Sequence, residues 1–494
     1  MARDETTEKH EPNFTCSRIF CAPCAWFEAM SNELDLNFIV GVIVVYGMSQ
    51  GIGGSLHRVI LEYYWKDIQL AQPSSVQVYH GIISIPWDVK PIWGLLTDIV
   101  PIAGYHRRPY FIISGLLGAG AYMALLLGGK MHAAMACSLL VAAAISSAIA
   151  EVTLDAVAAK KSRERPELAA DVQSLCYMSL AIGRLAGYSL SGTAVATFGP
   201  QGAMGLLSIP PIMFIILGCL LHETKVPRYR RFNSQVGRNV AEASKKMWNT
   251  FKSPVVWKPA LYMFLSWALC PDISEGLFFF YTDPFMGLAF SQAFIGIMYA
   301  IGAIGALVGV LTYRNLLRGL SFRYLLFWVQ MVISVFGMLD FILVTHFNLR
   351  LGMSNHLFAV LDESFSRATD RLKYTPLFVL CAKLCPSGIE GTFFALLVSI
   401  DNVGLRFSSW GGGLLLELLQ VTRNHFQNLW MAILIRNGLR LSPLLLLFLV
   451  PNKTPDVDII PCDLLGEQEA NASDEQNLAY RLLMPEAEHV TQSK

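Results

Sequence analysis

Charge is scarce in this sequence. Asp, Glu, Lys and Arg make up 15% of its 494 residues, and 54% of the residues are hydrophobic. Soluble proteins carry about 25% charged residues, so a soluble fold of this length is excluded. The formal net charge of +1 gives no general attraction for nucleic acid, and no basic module with interleaved aromatic residues is present. No nucleic-acid partner is therefore predicted.

Metal-binding and catalytic patterns are also missing. The ten histidines form no ligand cluster, and no G-x-S-x-G motif occurs. The ten cysteines are scattered, mostly inside apolar runs, which argues against a disulfide framework. Cys16, Cys21 and Cys24 form a small group, but a zinc site needs about four ligands. We expect free cytosolic thiols there, with palmitoylation as the alternative. Neither a metal, nor a cofactor, nor an enzymatic activity is predicted.

The first 36 residues lack the features of a targeting sequence. They hold seven Asp and Glu residues, whereas transit peptides are Arg-rich and acid-poor. No short apolar core lies near residue 10, so a cleaved secretory signal is not predicted either. We expect the plasma membrane or the vacuolar membrane as the destination, rather than the plastid envelope.

Long apolar runs, by contrast, recur along the whole chain. Each is about 20 residues long, enough to cross about 30 Å of hydrocarbon at about 1.5 Å per residue. They predict an all-α membrane protein with twelve transmembrane helices. The predicted helices are 37–57, 76–97, 110–128, 134–158, 171–197, 202–222, 257–281, 291–313, 323–345, 357–384, 388–418 and 427–450.

Basic residues in the predicted loops set the orientation. A cytosolic N-terminus puts 17 Lys and Arg residues in cytosolic loops and the central linker, and five in external loops, including Arg58 and Lys66. This asymmetry favours cytosolic termini. The predicted organisation is a cytosolic tail (1–36), a six-helix bundle (37–222), a cytosolic linker (223–256), a second six-helix bundle (257–450) and an acidic cytosolic tail (451–494).

Two weak internal matches relate the predicted bundles. The segment 64–81 resembles 280–296, with Asp67 opposite Asp283, at an offset of about 215 residues. A second match pairs SLAIGRLAGYSLSG (179–192) with SIDNVGLRFSSWGGG (399–413). Each has an Arg before a run of small residues, which permit close helix contact. Two six-helix halves in parallel repeat are typical of major facilitator transporters, so two pseudo-symmetric bundles with that fold are predicted.

Charged residues inside the predicted helices are the main functional signal. A charge at mid-bilayer costs several kcal/mol, so it faces the bundle interior or a water-filled cavity. Asp88 and Lys90 lie between Pro86 and Pro91 and point about 200° apart around a helix, so each needs a partner elsewhere. For any one buried charge, an interhelical ion pair that locks the bundle is the alternative to a transport role. The predicted substrate and proton pathway comprises Asp88, Lys90, Glu151, Asp155, Arg184, Asp272, Glu275, Asp362, Arg367 and Arg406.

The segment GLLTDIVPIAGYHRRPY (94–110) predicts a tight cytosolic turn. Gly94 and Gly104 permit such a turn, and Asp98 can end a helix or pair with Arg107 or Arg108. The segment resembles the G-x-L-x-D…G-R-R loop of major facilitators, which implies a gate latch, although its Asp-to-Gly spacing is longer. The predicted gate motif comprises Pro91, Gly94, Asp98, Gly104, Arg107, Arg108 and Pro109.

Several stretches together resemble the folate–biopterin transporter family of plants, cyanobacteria and trypanosomatids. They are WDVKPIWGLLTD, GYHRRPYF, PDISEGLFFFYTD, RLKYTPLFVLCAKLCPSGIEGTFFALLVSIDN and NLWMAILIRNGLRLSPLLLLFLVP, which cover nearly the whole predicted membrane region. The resemblance implies a major facilitator fold and transport of folates or pterins, together with protons. It adds Asn402 to the candidate residues, with Pro271, Pro376, Pro386 and Glu390 as further motif positions.

A cavity with both signs of charge suits such a ligand. The N–H edge of a pterin resembles a guanidine, which a carboxylate accepts through two hydrogen bonds, and the carboxylates of a folate tail fit Arg or Lys. Trp87, Trp93, Tyr177 and Phe279 are candidates to stack on the ring, although packing or an interfacial aromatic belt is their default role. We expect a monomeric, proton-coupled folate or pterin transporter that works by alternating access. The alternatives are a carrier of another small organic solute and a non-transporting receptor of the same fold.

Overall fold

The computed structural model describes residues 36–164, 168–221, 223, 225, 245, 247–385 and 390–454. In these residues every regular element is a helix, and β pairing is limited to two isolated bridges. The helices up to residue 221 are α1 (Leu36–Ile68), α2 (Pro73–Ile83), α3 (Ile85–Asp88), α4 (Lys90–Ile99), α5 (Arg108–Leu127), α6 (Ala133–Glu164), α7 (Ala169–Leu206) and α8 (Ile209–Leu220).

The helices of the second half follow the linker. They are α9 (Pro254–Ala268), α10 (Ser274–Thr282), α11 (Gln292–Leu317), α12 (Phe322–Phe336), α13 (Leu339–Val344), α14 (Phe347–Arg350), α15 (Asn355–Lys383), α16 (Glu390–Leu418) and α17 (Leu429–Leu439), with a 3-10 helix at Ser442–Leu449. The predicted N-terminal tail with its three cysteines, most of the linker and the tail beyond residue 454 lie outside the described residues, as do Pro386 and the side chains of Asp98 and Glu390.

Seven segments of the described chain are long and apolar enough to cross a membrane. They are Leu36–Ile68, Arg108–Leu127, Ala133–Ala159, Asp171–Leu220, Gln292–Leu317, Phe322–Val344 and Leu429–Leu449. The predicted spans 76–97, 257–281, 357–384 and 388–418 are helical as well but are not among the seven. The first two are broken into shorter helices, and the last two carry charged side chains. The described part of the chain is thus all-helical, and its long apolar helices are those of an integral membrane protein.

The first helix corrects one prediction about the loops. α1 continues to Ile68, well beyond the predicted end at residue 57. Arg58 and Lys66 therefore lie inside this helix, and their assignment to an external loop was wrong. Their charges resembled a loop, but Arg58 pairs with Glu62 one turn later, and Lys66 is buried with a hydrogen bond to Thr282.

Prolines and a glycine mark breaks in the helices. Pro86 and Pro91 each lie in the first turn of a new helix, α3 and α4, where the missing N–H is tolerated. The helical backbone is therefore interrupted on both sides of Asp88. In α7 the chain bends at Gly199, whose φ is +69°, immediately before Pro200. A straight helix of 38 residues would extend about 57 Å at about 1.5 Å per residue, so this break lets the chain turn back.

The predicted small-residue runs allow close helix contacts. A Cβ added at Gly183 in α7 would collide with Gly47 and Gly51 in α1. Across the two halves, a Cβ at Gly192 would overlap the Gln292 carbonyl, and a Cβ at Gly413 would overlap the Ser74 carbonyl. Such contacts bring α7 against α11 and α2 against α16 at backbone distance.

The apolar core is continuous between the halves at one end of the molecule only. There a single cluster unites Trp65 of the N-terminal half (36–221) with Phe279 of the C-terminal half (247–454). Towards the opposite end each half has its own cluster, with Phe111 in one and Phe393 in the other. We call these regions the joined end (56–65, 121–140, 195–207, 273–299 and 416–433) and the divided end (38–45, 172–176, 256–263, 322–326 and 377–397).

Candidate functional site

A polar cavity of about 400 Å³ lies between the two halves. Its N-terminal wall comes from α1 and α2, and its C-terminal wall comes from α9 to α13 and from α15 to α17. Of the predicted pathway residues, Asp272, Glu275, Asp362, Arg367 and Arg406 line it. Asp88, Lys90, Glu151, Asp155, Arg184 and Asn402 are not part of its lining.

Asp88 and Lys90 pair with residues on other helices, as their spacing predicted. The Arg406 guanidinium donates from Nε to Asp88 at 3.2 and 3.4 Å, which joins α16 of one half to α3 of the other. Lys90 donates to Glu151 at 2.8 Å inside the N-terminal half and lies over the Trp87 ring. Asp88 therefore contributes to the cavity through Arg406, whose side chain lines it.

The other predicted residues of the N-terminal half lie away from the cavity. Asp155 accepts a hydrogen bond from Tyr46, which ties α6 to α1. Arg184 is half-buried in α7 and makes no hydrogen bond or ion pair within the described chain; its neighbouring charges across the halves are Arg367 and Arg371. Asn402, a predicted residue of the C-terminal half, is half-buried in α16 and also lies outside the cavity lining. None of these residues is placed to touch a ligand enclosed in the cavity as it stands.

The charged residues of α15 form a network inside the C-terminal half. Arg367 pairs with Glu363 at 2.6 Å one turn earlier. Asp340 on α13 accepts from Arg436 on α17 at 2.6 Å and from Tyr281 at 3.3 Å. Asp362 is 3% exposed and faces Asp340. The predicted span 357–384, which corresponds to α15, is the least apolar of the twelve. It still forms a 29-residue helix because its polar side faces the cavity.

Gln77 closes the cavity at the joined end. This buried amide on α2 donates to Asp272 at 3.0 Å and to Ser409 at 3.2 Å. Its side-chain oxygen accepts from the backbone N–H of Glu275 at 3.1 Å, and the backbone carbonyl of Gln77 accepts from the Ser409 hydroxyl at 2.7 Å. All of these partners belong to the C-terminal half. One neutral side chain thus anchors α2 to both α10 and α16.

Two further polar contacts flank Gln77 at the same end. Nε2 of His80 lies 3.4 Å from the Glu275 carboxylate across the halves. Glu62, fully buried in α1, accepts from the hydroxyl of Tyr299 on α11 at 3.3 Å and pairs with Arg58 at 3.2 Å. Sequence reasoning missed Glu62, Gln77 and His80 as site residues. Glu62 lay between the predicted spans 37–57 and 76–97, in a segment predicted as an external loop, and Gln77 and His80 were passed over because neutral residues were not searched.

The aromatic residues of the site also differ from those predicted. Trp87, Trp93, Tyr177 and Phe279 do not line the cavity, which favours packing or an interfacial position over stacking for these four residues. Phe279 is fully buried in the core of the joined end, and Tyr177 is largely exposed on α7. Aromatic lining comes instead from Trp267, Phe278, Tyr281 and Tyr299.

The predicted gate loop is held by a residue outside its motif. The Glu223 carboxylate accepts from the backbone N–H groups of His106, Arg107 and Arg108 at 2.8–3.1 Å. These groups begin α5, where a negative charge is favoured. Arg107 donates to Thr97, and Arg108 donates to the carbonyls of α8. The loop is therefore latched to the end of α8.

Comparison with known proteins identifies the family. Residues 50–467 match the BT1 family model. Probable folate-biopterin transporter 2 of Arabidopsis thaliana is 44% identical over 95% of this chain and 93% of its own length. The Folate-biopterin transporter of Synechocystis is 29% identical over 91% of this chain and 87% of its own.

Solved structures share the fold at low sequence identity. A crystal structure of nucleoside transporter NupG has a TM-score of 0.61 at 14% identity, covering 84% of this chain and 98% of that one. A D-xylose-proton symporter has a TM-score of 0.58 at 15% identity, with 85% and 98% coverage. The major facilitator fold follows from these matches. This chain belongs to the BT1 family, a family of membrane transporters and not of enzymes.

Proposed function

We propose that this protein is a secondary active transporter of folates or pterins, coupled to protons and working by alternating access. The observation that carries the proposal is the cavity between the halves, which presents carboxylates, guanidinium groups and aromatic rings together. The names of its relatives, which are folate-biopterin or folate transporters, support the substrate class.

The chemistry of the cavity fits an amphoteric pteridine. Carboxylates such as Asp272 and Glu275 offer acceptors for the N–H edge of a pterin, and Trp267 and Tyr299 offer rings on which it can stack. Arg406 supplies a cation for a folate carboxylate. A sugar needs no cation, so a carrier of neutral solutes would gain nothing from this arrangement.

The proposed topology has twelve crossings, cytosolic termini and an external joined end. Asn452 tests it, because Lys453 accepts from the backbone of Phe322, which places this sequon beside the basic loop before α12. In a glycosylation-competent cell we expect no glycan at Asn452. A glycan at Asn452 would show that the orientation is the opposite of the proposed one.

The proposed location is the plasma membrane or the vacuolar membrane, whereas one relative is named chloroplastic. Tagged protein should reach one of these two membranes, and plastid localisation would contradict this part of the proposal.

Uptake by purified protein in liposomes tests the function directly. Labelled folic acid and biopterin are supplied with and without an inward proton gradient. We expect gradient-dependent uptake by the wild type and its loss in Asp88→Asn, with Asp67→Asn as the control because Asp67 is exposed and outside the cavity. Absence of uptake of both compounds by folded wild-type protein would refute the proposal, as would uptake by Asp88→Asn equal to that of the control.

Substrate preference provides a second test. Arg184 and its neighbours Arg367 and Arg371 gather positive charge between α7 and α15. We expect Arg184→Ala to weaken uptake of anionic folic acid more than that of neutral biopterin. Equal losses for the two would count against a role for Arg184 in handling the folate tail. Competition by sugars or amino acids instead of pterins would favour the alternative, a carrier of another small solute.

A further inference from the structure

The acids around Asp362 each have a cation, and Asp362 has none of its own among the described residues. Asp340 holds Arg436 at 2.6 Å, and Glu363 holds Arg367 at 2.6 Å. Asp370, which is exposed to the cavity, has Arg440 as its strongest opposite charge. Asp340 and Glu363 are thus ion-paired, whereas Asp362 has no ion pair among the described residues.

Asp362 itself is buried and incompletely bonded. It is 3% exposed, and its Oδ1 has no hydrogen-bond donor among the described residues. The carboxyl of Asp340 faces it within hydrogen-bonding reach. Two ionised carboxylates are both acceptors only, so they cannot bond to one another. A proton on one of them supplies the missing donor and removes the unpaired buried charge.

We propose that Asp362 binds the proton that the carrier translocates, with Asp340 as the fixed acceptor of its hydrogen bond. Asp340 is the better acceptor because Arg436 and Tyr281 already stabilise its negative charge. The groups that face Asp362 are Asp340 from α13, Arg436 from α17, Tyr281 from α10 and Glu363 on its own helix. The inference rests on the proposed proton-coupled function.

Protonation of Asp362 does not require the substrate to enter the buried space between Asp362 and Asp340. On release, the O–H bond of the neutral Asp362 carboxyl breaks, and the proton passes to water in the cavity. Two carboxylates then face one guanidinium, so α13, α15 and α17 acquire a repulsion that the protonated state lacks. Glu275 also has a buried carboxyl oxygen without a hydrogen-bond partner among the described residues, but it is a poorer candidate because its other oxygen lies 3.4 Å from Nε2 of His80 and Arg58 is a nearby cation.

Two transport assays on one preparation test the proposal. Liposomes containing wild type, Asp362→Asn or the control Asp67→Asn receive labelled folic acid or biopterin. One assay measures uptake driven by a proton gradient. The other measures exchange against the same unlabelled compound inside, without a gradient. We expect Asp362→Asn to lose gradient-driven uptake, to retain exchange near the wild-type rate, and to lose the dependence of exchange on pH.

Three results would overturn the inference. They are gradient-driven uptake by Asp362→Asn, loss of both activities in a variant whose melting temperature is unchanged, and failure of Asp362→Glu to restore gradient-driven uptake. If Asp362→Asn does not fold, the pair Asp362→Glu and Asp362→Gln makes the same comparison. Failure of the proposed function shows instead in the wild type, as absent exchange or as exchange without gradient-driven uptake.

Discussion

The ion pair between Asp88 and Arg406 crosses the two halves, and its strength can be worked out from its geometry. Nε of Arg406 lies 3.2 Å from the nearer Asp88 oxygen, and the two side chains are 6% and 17% exposed. At that separation and an effective dielectric constant of about 20, the Coulomb attraction is about 5 kcal/mol. Desolvation of both groups offsets much of this attraction. The contact uses Nε alone, so we expect a coupling energy of about 1–3 kcal/mol.

A double-mutant cycle measures this coupling. Asp88→Asn, Arg406→Gln and the double variant are compared with the wild type by thermal unfolding in detergent. An unfolding entropy of ~2.1 cal/mol/K per residue over 494 residues gives roughly 1 °C per kcal/mol. We therefore expect the double variant to melt about 1–3 °C higher than the sum of the two single effects predicts.

A matched cycle and a stronger pair bound the interpretation. Asp67→Asn combined with Arg406→Gln should be additive, because Asp67 is exposed and does not contact Arg406. The cycle of Lys90 and Glu151, which lie 2.8 Å apart inside one half, should show the larger coupling. Strict additivity for Asp88 and Arg406, or a coupling above that of Lys90 and Glu151, would refute the reasoning.

Three further predictions concern the joined end and the gate loop. Gln77→Leu removes hydrogen bonds between the halves, each contributing about 0.5–1.5 kcal/mol. Spin labels at the exposed residues Lys130 and Phe285, one in each half, should therefore move apart. The control Gln201→Leu breaks a hydrogen bond to Leu126 within one half and should leave the distance between the labels unchanged. Gly192→Leu should abolish uptake because the side chain overlaps the Gln292 carbonyl, whereas Gly120→Leu, with open space around it, should transport normally; activity in the former would contradict the close contact. Glu223→Gln weakens the cap on α5 and should cost about 0.5–2 kcal/mol, seen as a lower melting temperature; an unchanged value would show that the latch is not needed for stability.

Much of the fold could be predicted from composition and periodicity. Apolar runs located the helices because membrane-spanning helices must satisfy their backbone internally and cover it with apolar side chains. Proline marked the breaks beside Asp88 and near Asp272, since it removes an N–H wherever it stands. The end of α1 was misplaced because Arg58 and Lys66 signal a loop to any hydropathy count, and only their buried partners reveal a helix.

The candidate site could be predicted in part only. Charge in an apolar run identifies a residue that needs a polar surrounding, and this rule selected Asp362, Glu275 and Arg406, which line the cavity. The same rule cannot tell a cavity from an ion pair between two packed helices, so Lys90 and Asp155 were chosen with them. Neutral residues carry no such signal. Gln77, which makes the largest set of described hydrogen bonds between the halves, resembles any glutamine in the sequence.

The distribution of polar contacts agrees with a carrier whose halves must separate. Within each half the ion pairs of Lys90, Arg367 and Arg436 are short, at 2.6–2.8 Å, whereas that of Arg58 with Glu62 is 3.2 Å. Between the halves no described pair is shorter than 3.2 Å, the distance for Asp88 with Arg406, and His80 lies 3.4 Å from Glu275. The remaining contacts across the joined end are mostly hydrogen bonds that water can replace at little cost.

This division has an energetic consequence. Separating a tight buried ion pair leaves two uncompensated charges and costs several kcal/mol, which would trap the molecule in one conformation. A histidine can avoid that cost, because it is uncharged when it loses its proton, and Gln77 carries no charge at all. Opening of the joined end therefore separates no short ion pair among the described residues. Single hydrogen bonds, such as those of Gln77 with Asp272, Lys66 with Thr282 and Glu62 with Tyr299, exchange their partners for water, while the short ion pairs hold each half together.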